Sequence, residues 1–270
     1  MAALARCRRD DVRRAVVVAD ARSRRRPPVC AAIARGALIV AVPSRPAPAL
    51  NVGKVDHFAR VPDGFAAALA EDIGRRVGPP VTFVLADARH TLRSGAADIA
   101  IGGLAFADDR ALAYAPTAYT SGRGMALVLR HGTVHDWRDL AGASICVASG
   151  SRFARNAARR AHANVRAYDR PLDALLAFQA GECAALVDDE LAIRKLLKQP
   201  DWAYYRRLPG ALDPAPAYIA TRGGDLASAV FIERTVRDWR RQRWLSTVRK
   251  DQATRLAFEM FNAQNDLYCH

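Results

Sequence analysis

The chain has 270 residues, 51% of them hydrophobic, and a formal net charge of +14. That is enough apolar material for a sizeable core and enough length for two lobes. No run reaches the roughly 20 apolar residues that span a bilayer. Five cysteines without a CxxC spacing argue against a zinc site or a disulfide framework. The positive charge is uneven: residues 1–35 carry ten Arg against three Asp. A basic balance attracts nucleic acid, anionic lipid or anionic ligands. It is also what an Arg-rich, solvated surface gives, and the abundance of Ala and Arg throughout favours that reading.

Residues 1–33 are Arg-rich, are broken by Pro27-Pro28 and show no sustained period, so they read as a basic, poorly ordered extension. They hold too little apolar helix for a helix-turn-helix, and nucleic acid is not an expected partner. Ala15–Ala19 is too short, and too close to charges, for the apolar core of a secretion signal. From Ala34 the chain reads as folded. Gly36–Val42 gives a turn and a buried strand. A proline-spaced stretch, Pro46-Ala47-Pro48-Ala49, and the segment Asn51–Val61 follow. Gly64-Phe65 opens a helix, Ala66–Val77, which Gly78-Pro79-Pro80 stops. Val81–Leu85 is a second strand.

Ser94-Gly95 ends a further helix, and Ile99-Ala100-Ile101 is short and apolar enough for a buried strand. Gly102 and Gly103 carry no Cβ and let backbone come close to a neighbour. Arg110 lies seven residues after Gly103, and Tyr119-Thr120-Ser121-Gly122 follows after a short loop. Met125–Arg130 and Ile145–Ala148 are strands, and Ser149-Gly150-Ser151 opens a helix, Arg152–His162. Backbone N–H groups at such a helix start favour an anion; an ordinary serine N-cap explains the same residues. Val165–Tyr168 is a strand, Leu172–Ala180 an amphipathic helix stopped by Gly181, and Cys183–Val187 a strand ending in Asp188-Asp189-Glu190. Cys146 and Cys183 both sit in strand-like runs and are expected as reduced core thiols. Ala217–Ala220 is a late strand. Asp225–Met260 is mostly helical, with Val236, Trp239, Trp244, Leu245 and Val248 at core spacing.

The stretch SGAADIAIGGLAFADDR, the opening GALIVAV, the helix beginning GFAAALAEDI, the segment DWRDLAG and the run LLAFQAGECAALVDDE occur in a definite order. Together they resemble the family 3 extracellular solute-binding proteins, the receptors of polar amino-acid ABC transporters. The resemblance covers roughly residues 35–255. It implies an α/β fold of type 2 periplasmic-binding-protein-like form, two-lobed, with two crossing strands between lobes. It places lobe one at 34–124 and 218–270 and lobe two at 125–217. It further implies that ligands bind in a cleft and that the lobes close on them by a hinge motion.

The family's site residues map onto this sequence one by one. Arg110 falls on the arginine that clamps the ligand carboxylate, a role suited to a planar, permanently charged guanidinium; on its own it reads as a surface arginine. Asp98 falls on the family's aspartate and Gly103 on its loop. Ala105 stands where the family supplies a hydroxyl. Gly150 and Ser151 match a Gly-Thr pair that helps hold the carboxylate, and Arg152 stands where a small residue is common. Asp189 falls on the carboxylate that pairs with a ligand ammonium, and Asp169 or Asp173 lies near a second acidic position. Asp188, Asp189 and Glu190 also read as a charge cluster favourable to a helix N-terminus. The aromatic pair that sandwiches the ligand side chain is missing, with Phe58 as a replacement for one ring.

These expectations describe a monomeric binding receptor for a small anionic solute, an amino acid or another carboxylate, without cofactor, metal or catalytic set. An ABC permease is the implied partner and the periplasm the implied compartment. The alternatives are a cyclohexadienyl-dehydratase-like enzyme on the same fold, with an acid among Asp169, Asp173, Asp189 and Glu190 or, behind these, His90 or His135, or a sensory or degenerate binding domain.

Overall fold

The structure, a computed structural model, describes residues 28–46 and 59–268. The basic stretch up to residue 27, the Ala47–Ala49 segment, most of 51–61 and Phe58 lie outside the described residues. The extension expected through residue 33 ends earlier, because Pro28–Arg35 forms helix α1. Proline at the first helical position needs no hydrogen-bond partner for a missing N–H. The alanine-rich run behind it is strongly helix-forming, and Ala32 is fully buried.

The elements then follow in chain order. Strand β1 is Leu38–Ala41, β2 is Ser44–Pro46 and β3 is Arg60–Pro62. Helix α2 is Gly64–Val77, β4 is Val81–Val84, α3 is Ala88–Ser94, β5 is Ile99–Leu104 and β6 is Leu112–Tyr114. Next come β7 (Gly124–Leu129), β8 (Ser144–Ala148), α4 (Ala154–Ala161), β9 (Asn164–Tyr168), α5 (Pro171–Gln179), β10 (Ala185–Asp189) and α6 (Glu190–Leu196). The chain ends through β11 (Tyr205–Arg207), β12 (Tyr218–Arg222), α7 (Leu226–Arg241) and α8 (Trp244–Tyr268).

Contacts divide the chain into two compact units. The first takes in the described residues up to Ser44, then Arg60–Tyr119 and Ala217–Trp244. The second takes in the described residues from Arg45, then Thr120–Pro216 and the chain from Leu245. The last of these stretches groups with the second unit, whereas the sequence assigned it to lobe one.

In the first unit the sheet runs β4-β1-β5-β12-β6. β4, β1 and β5 are parallel, and β12 is antiparallel to both β5 and β6. Its helices begin and end where local chemistry dictates. The Asp63 carboxylate accepts the Ala66 N–H at 3.1 Å and starts α2; Asp87 accepts the His90 N–H at 2.7 Å and starts α3. Gly95 ends α3 in the left-handed region, with φ +80°. Asp98 is fully enclosed and structural: its Oδ2 accepts the Ile39 N–H at 2.9 Å and pairs with Arg35, tying β1 to β5.

In the second unit the sheet runs β11-β7-β10-β8-β9. β9, β8 and β10 are parallel, and β7 is antiparallel to β10. Both faces are covered, so the strands read as continuous apolar runs. Side chains alternate between the faces. Met125, Leu127, Cys146 and Leu186 pack with Leu175 and Phe178 of α5 and with Trp202. Ala126, Val128, Ile145, Val147, Ala185 and Val187 pack with Trp137, Leu140, Phe153 and Ala157. The same alternation puts Asp189 on the face of Ala185 and Val187.

Cys146 and Cys183 are joined in a disulfide with Cα atoms 5.7 Å apart, which corrects the expectation of two reduced thiols. Both lie in the core on the α5 face, so their separation of 37 residues in sequence disappears on folding. Val236, Trp239, Leu245 and Val248 are buried, as their spacing predicts. Arg243, in the left-handed region at φ +56°, breaks the helical stretch into α7 and α8.

Candidate functional site

In open α/β sheets ligands collect beyond the carboxyl ends of parallel strands. In the second unit those ends are Ala148, Tyr168 and Asp189. Because β7 runs antiparallel, its first residue, Gly124, pairs with Asp189. The Thr120–Gly122 loop therefore arrives at the same edge.

Three donor groups meet there on one carboxylate. Arg152 Nη2 donates to Asp189 Oδ2 at 2.7 Å, and Arg249 Nη2 donates to both Oδ1 and Oδ2 at 2.7 Å. The Leu191 N–H donates to Oδ1 at 2.9 Å, so Asp189 also caps α6. The second hand of Arg152, Nη1, donates to Thr120 Oγ1 at 2.7 Å. Gly122 forms the floor. A Cβ there would stand 2.5 Å from Asp189 Oδ2, 2.7 Å from Arg249 Nη2 and 2.9 Å from Arg152 Nη2. The three side chains stay partly open, 20%, 19% and 27% exposed for Arg152, Asp189 and Arg249.

Beside this cluster, Asp188 Oδ1 accepts the Asp189 N–H at 2.7 Å. Burial pushes the Asp188 carboxyl up to about 6. The negative charge of Asp189 adds to the rise, while the Asp189 N–H, Arg45 and Arg152 oppose it.

The loop before the cluster is a tight turn. Gly150 takes φ +73°. The Ser149 N–H is committed to Tyr168 O at 2.7 Å and the Ser151 N–H to Ala148 O at 3.0 Å. Ser151 Oγ accepts the Phe153 N–H at 3.3 Å. Helix α4 begins two residues later than the expected start at Arg152. The Ser151 N–H expected to meet an anion is thus spent inside the turn. Asp169 is exposed in the loop after β9, and Asp173 pairs with Arg170 at 2.6 Å.

In the first unit, Gly102 lies where a Cβ would stand 3.1 Å from Ala88 Cβ, so its missing side chain serves packing of α3 on β5. Gly103 is exposed at φ +69°, and its N–H donates to Tyr119 Oη at 3.0 Å. Ala105 is exposed, and its carbonyl accepts Arg89 Nη2 at 3.1 Å. Arg110 is exposed in the turn before β6 and has no hydrogen bond or ion pair among the described residues. Its backbone is pinned by β12: the Gly223 N–H donates to Ala111 O at 2.7 Å, and a Cβ on Gly223 would stand 2.1 Å from Arg110 O.

No protein-family model matches this chain, and no curated protein matches it by sequence. Solved structures do. An amino acid ABC transporter substrate-binding protein from Streptococcus pneumoniae, bound to L-arginine, superposes with a TM-score of 0.65 at 19% identity, over 84% of this chain and 98% of that one. A mutant of ArgBP from T. maritima gives 0.62 at 21% identity, over 82% and 96%. An ancestral amino acid-binding protein, described as a precursor of cyclohexadienyl dehydratase, gives 0.62 at 18% identity, over 83% and 98%. The chain has the two-lobed fold of the ABC-transporter solute-binding receptors.

Within this receptor fold the expected residues fall into two groups. Arg152 and Asp189 come together in the second unit, with Ser151 in the adjoining turn. Gly103, Ala105 and Arg110 lie along one loop of the first unit. Sequence reasoning missed Arg249, Thr120 and Gly122 as members of the Asp189 cluster. The flanking Trp244 and Val248 mark α8 as a core helix, and nothing in its pattern distinguishes Arg249 from the other arginines of the chain. The expected role of Asp189, pairing with a ligand ammonium, meets a carboxylate whose acceptor positions are already filled by two guanidinium groups and a backbone N–H.

Proposed function

We propose that this chain is the substrate-binding receptor of an ABC-type uptake system and takes a small anionic solute, an amino acid or another carboxylate. The observation that carries the reading is Arg110: an exposed guanidinium with no partner among the described residues, on the strand-end loop of a chain with the receptor fold. The solved structures bound to L-arginine hold a cation overall, and the departures from the family's pattern at Ala105 and Arg152 support a different solute here. The receptor works without catalysis, and its partner is a permease. The Cys146–Cys183 pairing suits an oxidising compartment such as the periplasm. Among the described residues no helix is long and apolar enough to cross a membrane.

A thermal-shift screen of L-glutamate, L-aspartate, succinate and L-arginine tests the proposal. A ligand present at about 100 times its dissociation constant stabilises the native state by about 2.7 kcal/mol. Charge-assisted bonds contribute roughly 1.5–3 kcal/mol each, so Arg110→Ala should weaken binding by about tenfold or more. Unchanged affinity in that variant removes Arg110 from the site, and no stabilisation by any probe removes the receptor reading. The likeness to the ancestral dehydratase precursor favours one second reading, a dehydratase-like enzyme that loses water and CO₂ from a carboxylate substrate. Turnover of prephenate by the purified protein would establish it; its absence leaves the receptor.

A further inference from the structure

The Asp189 carboxylate is already filled and offers little to a ligand cation. Two guanidinium groups, Arg152 and Arg249, serve one carboxylate. The Asp189 oxygens accept four bonds: Arg249 and Leu191 on Oδ1, Arg249 and Arg152 on Oδ2. An ionised carboxylate offers about four lone-pair sites, so a ligand ammonium finds none open. Arg249 uses only Nη2 toward Asp189, and its Nε and Nη1 donors have no partner among the described residues. Its side chain is 27% exposed, so those donors reach solvent. A partly buried guanidinium with unspent donors is a ready receiver for a carboxylate or another oxyanion.

We propose that Arg249, with Arg152 beside it, forms an oxyanion subsite at the strand ends of the second unit, and that Asp189 positions the two guanidinium groups rather than meeting the ligand. The subsite fits a carboxylate, so the solute class is one that presents a negative group to Arg249, for which a dicarboxylate and an acidic amino acid are the probes. Thr120 Oγ1 fixes the second hand of Arg152, and Gly122 leaves room for all three ends to converge. This inference rests on the receptor reading for the existence of a solute, and on the Arg249 geometry for its class.

Isothermal titration of the full chain with succinate, L-glutamate and L-arginine tests it, using wild type, Arg110→Ala, Arg249→Gln and Arg249→Lys. Circular dichroism and melting temperature confirm that each variant folds. The expected result is that succinate or L-glutamate binds wild type and that Arg249→Gln weakens this binding at least tenfold. Arg249→Lys should recover part of the loss, since a lysine keeps the charge. The ratio of succinate to L-arginine affinity should fall at least tenfold in Arg249→Gln, a change that a purely structural role for Arg249 does not produce. Dicarboxylate binding that depends on Arg110 but not on Arg249 overturns the subsite and leaves the receptor standing. Tighter L-arginine binding in Arg249→Gln also overturns it, because Arg249 would then be an internal occupant of a cation site. Failure of every probe to bind wild type counts against both readings.

Discussion

Arg249 places a single nitrogen, Nη2, 2.7 Å from each carboxylate oxygen of Asp189, across 60 residues of sequence. The pairing joins α8 to the end of β10 and fills the position that the resemblance assigns to a ligand ammonium. Breaking one partner of such a partly buried pair leaves the other charge without its counterion, which is costlier than never having had the pair. The cluster therefore constrains every substitution around it.

Gly122 is the most direct handle. A methyl group there meets the ends of three charged side chains at 2.5, 2.7 and 2.9 Å. Side-chain ends can swing aside, so Gly122→Ala should fold. It should lose about 1–2 kcal/mol of stability, the ordinary scale for a disturbed polar contact, and the Arg249–Asp189 bond with it. Urea denaturation measures the first and a crystal structure of the variant the second. A variant as stable as wild type with the three side chains in place would show that the floor is looser than these distances require.

The legible parts of the sequence are those where a period and a stop signal coincide. Asp63 and Gly78 bracket α2, and Gly95 closes α3, because caps and left-handed turns are local chemistry. β8 and β10 read as apolar runs because both faces of their sheet are covered. β6 has three residues and no period of its own; it exists because β12 lies beside it. The Cys146–Cys183 bond depends on which face of β8 each neighbour covers, which spacing alone does not encode. Arg249 is adjacent to Val248, about 100° round the helix from a core position. Its partner Asp189 is fixed by tertiary packing only. Asp189 was legible as a strand-end carboxylate; the side chains that pair with it were not.

Gly223 offers a second test, in the first unit. A Cβ there would stand 2.1 Å from Arg110 O and 2.7 Å from Ala111 C, both backbone atoms that cannot rotate away. Gly223→Ala must therefore push the Arg110 turn from β12 and lose the Gly223 N–H to Ala111 O bond. The expected cost is about 2–4 kcal/mol, the range for overpacking combined with a lost backbone hydrogen bond. Ligand affinity should fall with it, since Arg110 moves with its turn. Calorimetric melting and titration of the same sample read both effects; loss of stability with intact affinity would separate Arg110 from the binding site.

The disulfide is tested by reduction. Closing a loop across 37 residues removes between about 3 and about 4.7 kcal/mol of unfolded-chain entropy by loop-length scaling. Cys146→Ser with Cys183→Ser should therefore melt about 10 °C lower than wild type. Wild type scanned in a strong reductant should melt at or below the variant, since the disulfide of Cys30 is reduced with it. Equal melting temperatures for the oxidised protein and the double variant would show that the bond adds nothing to this core.

Asp188 makes stability depend on pH in a defined direction. Its carboxyl is raised from 3.8 to about 6, first by burial and next by the charge of Asp189. The folded state thus holds a proton that the unfolded chain gives up at lower pH. The stability this contributes is fully present below pH 3.8 and is lost as pH rises through about 6. At 1.36 kcal/mol per unit the loss is at most about 3 kcal/mol, and partial exposure of the group reduces it. Asp72 and Glu233 are lowered, the first by its bonds from Arg76, Trp239 and Arg75, the second by Thr117 and Arg237, against the opposing effect of burial. Their contributions run the other way, so the net profile of wild type mixes both signs. Comparison with Asp188→Asn removes them, because both proteins share those groups. Asparagine stays neutral and can still accept the Asp189 N–H through Oδ1. The variant should match wild type near pH 4, become progressively more stable than wild type between pH 4 and 6, and hold a constant advantage above that. Urea denaturation at half-unit steps measures the difference, and a difference that is flat across the range would mean that the Asp188 carboxylate ionises as freely in the fold as in the open chain.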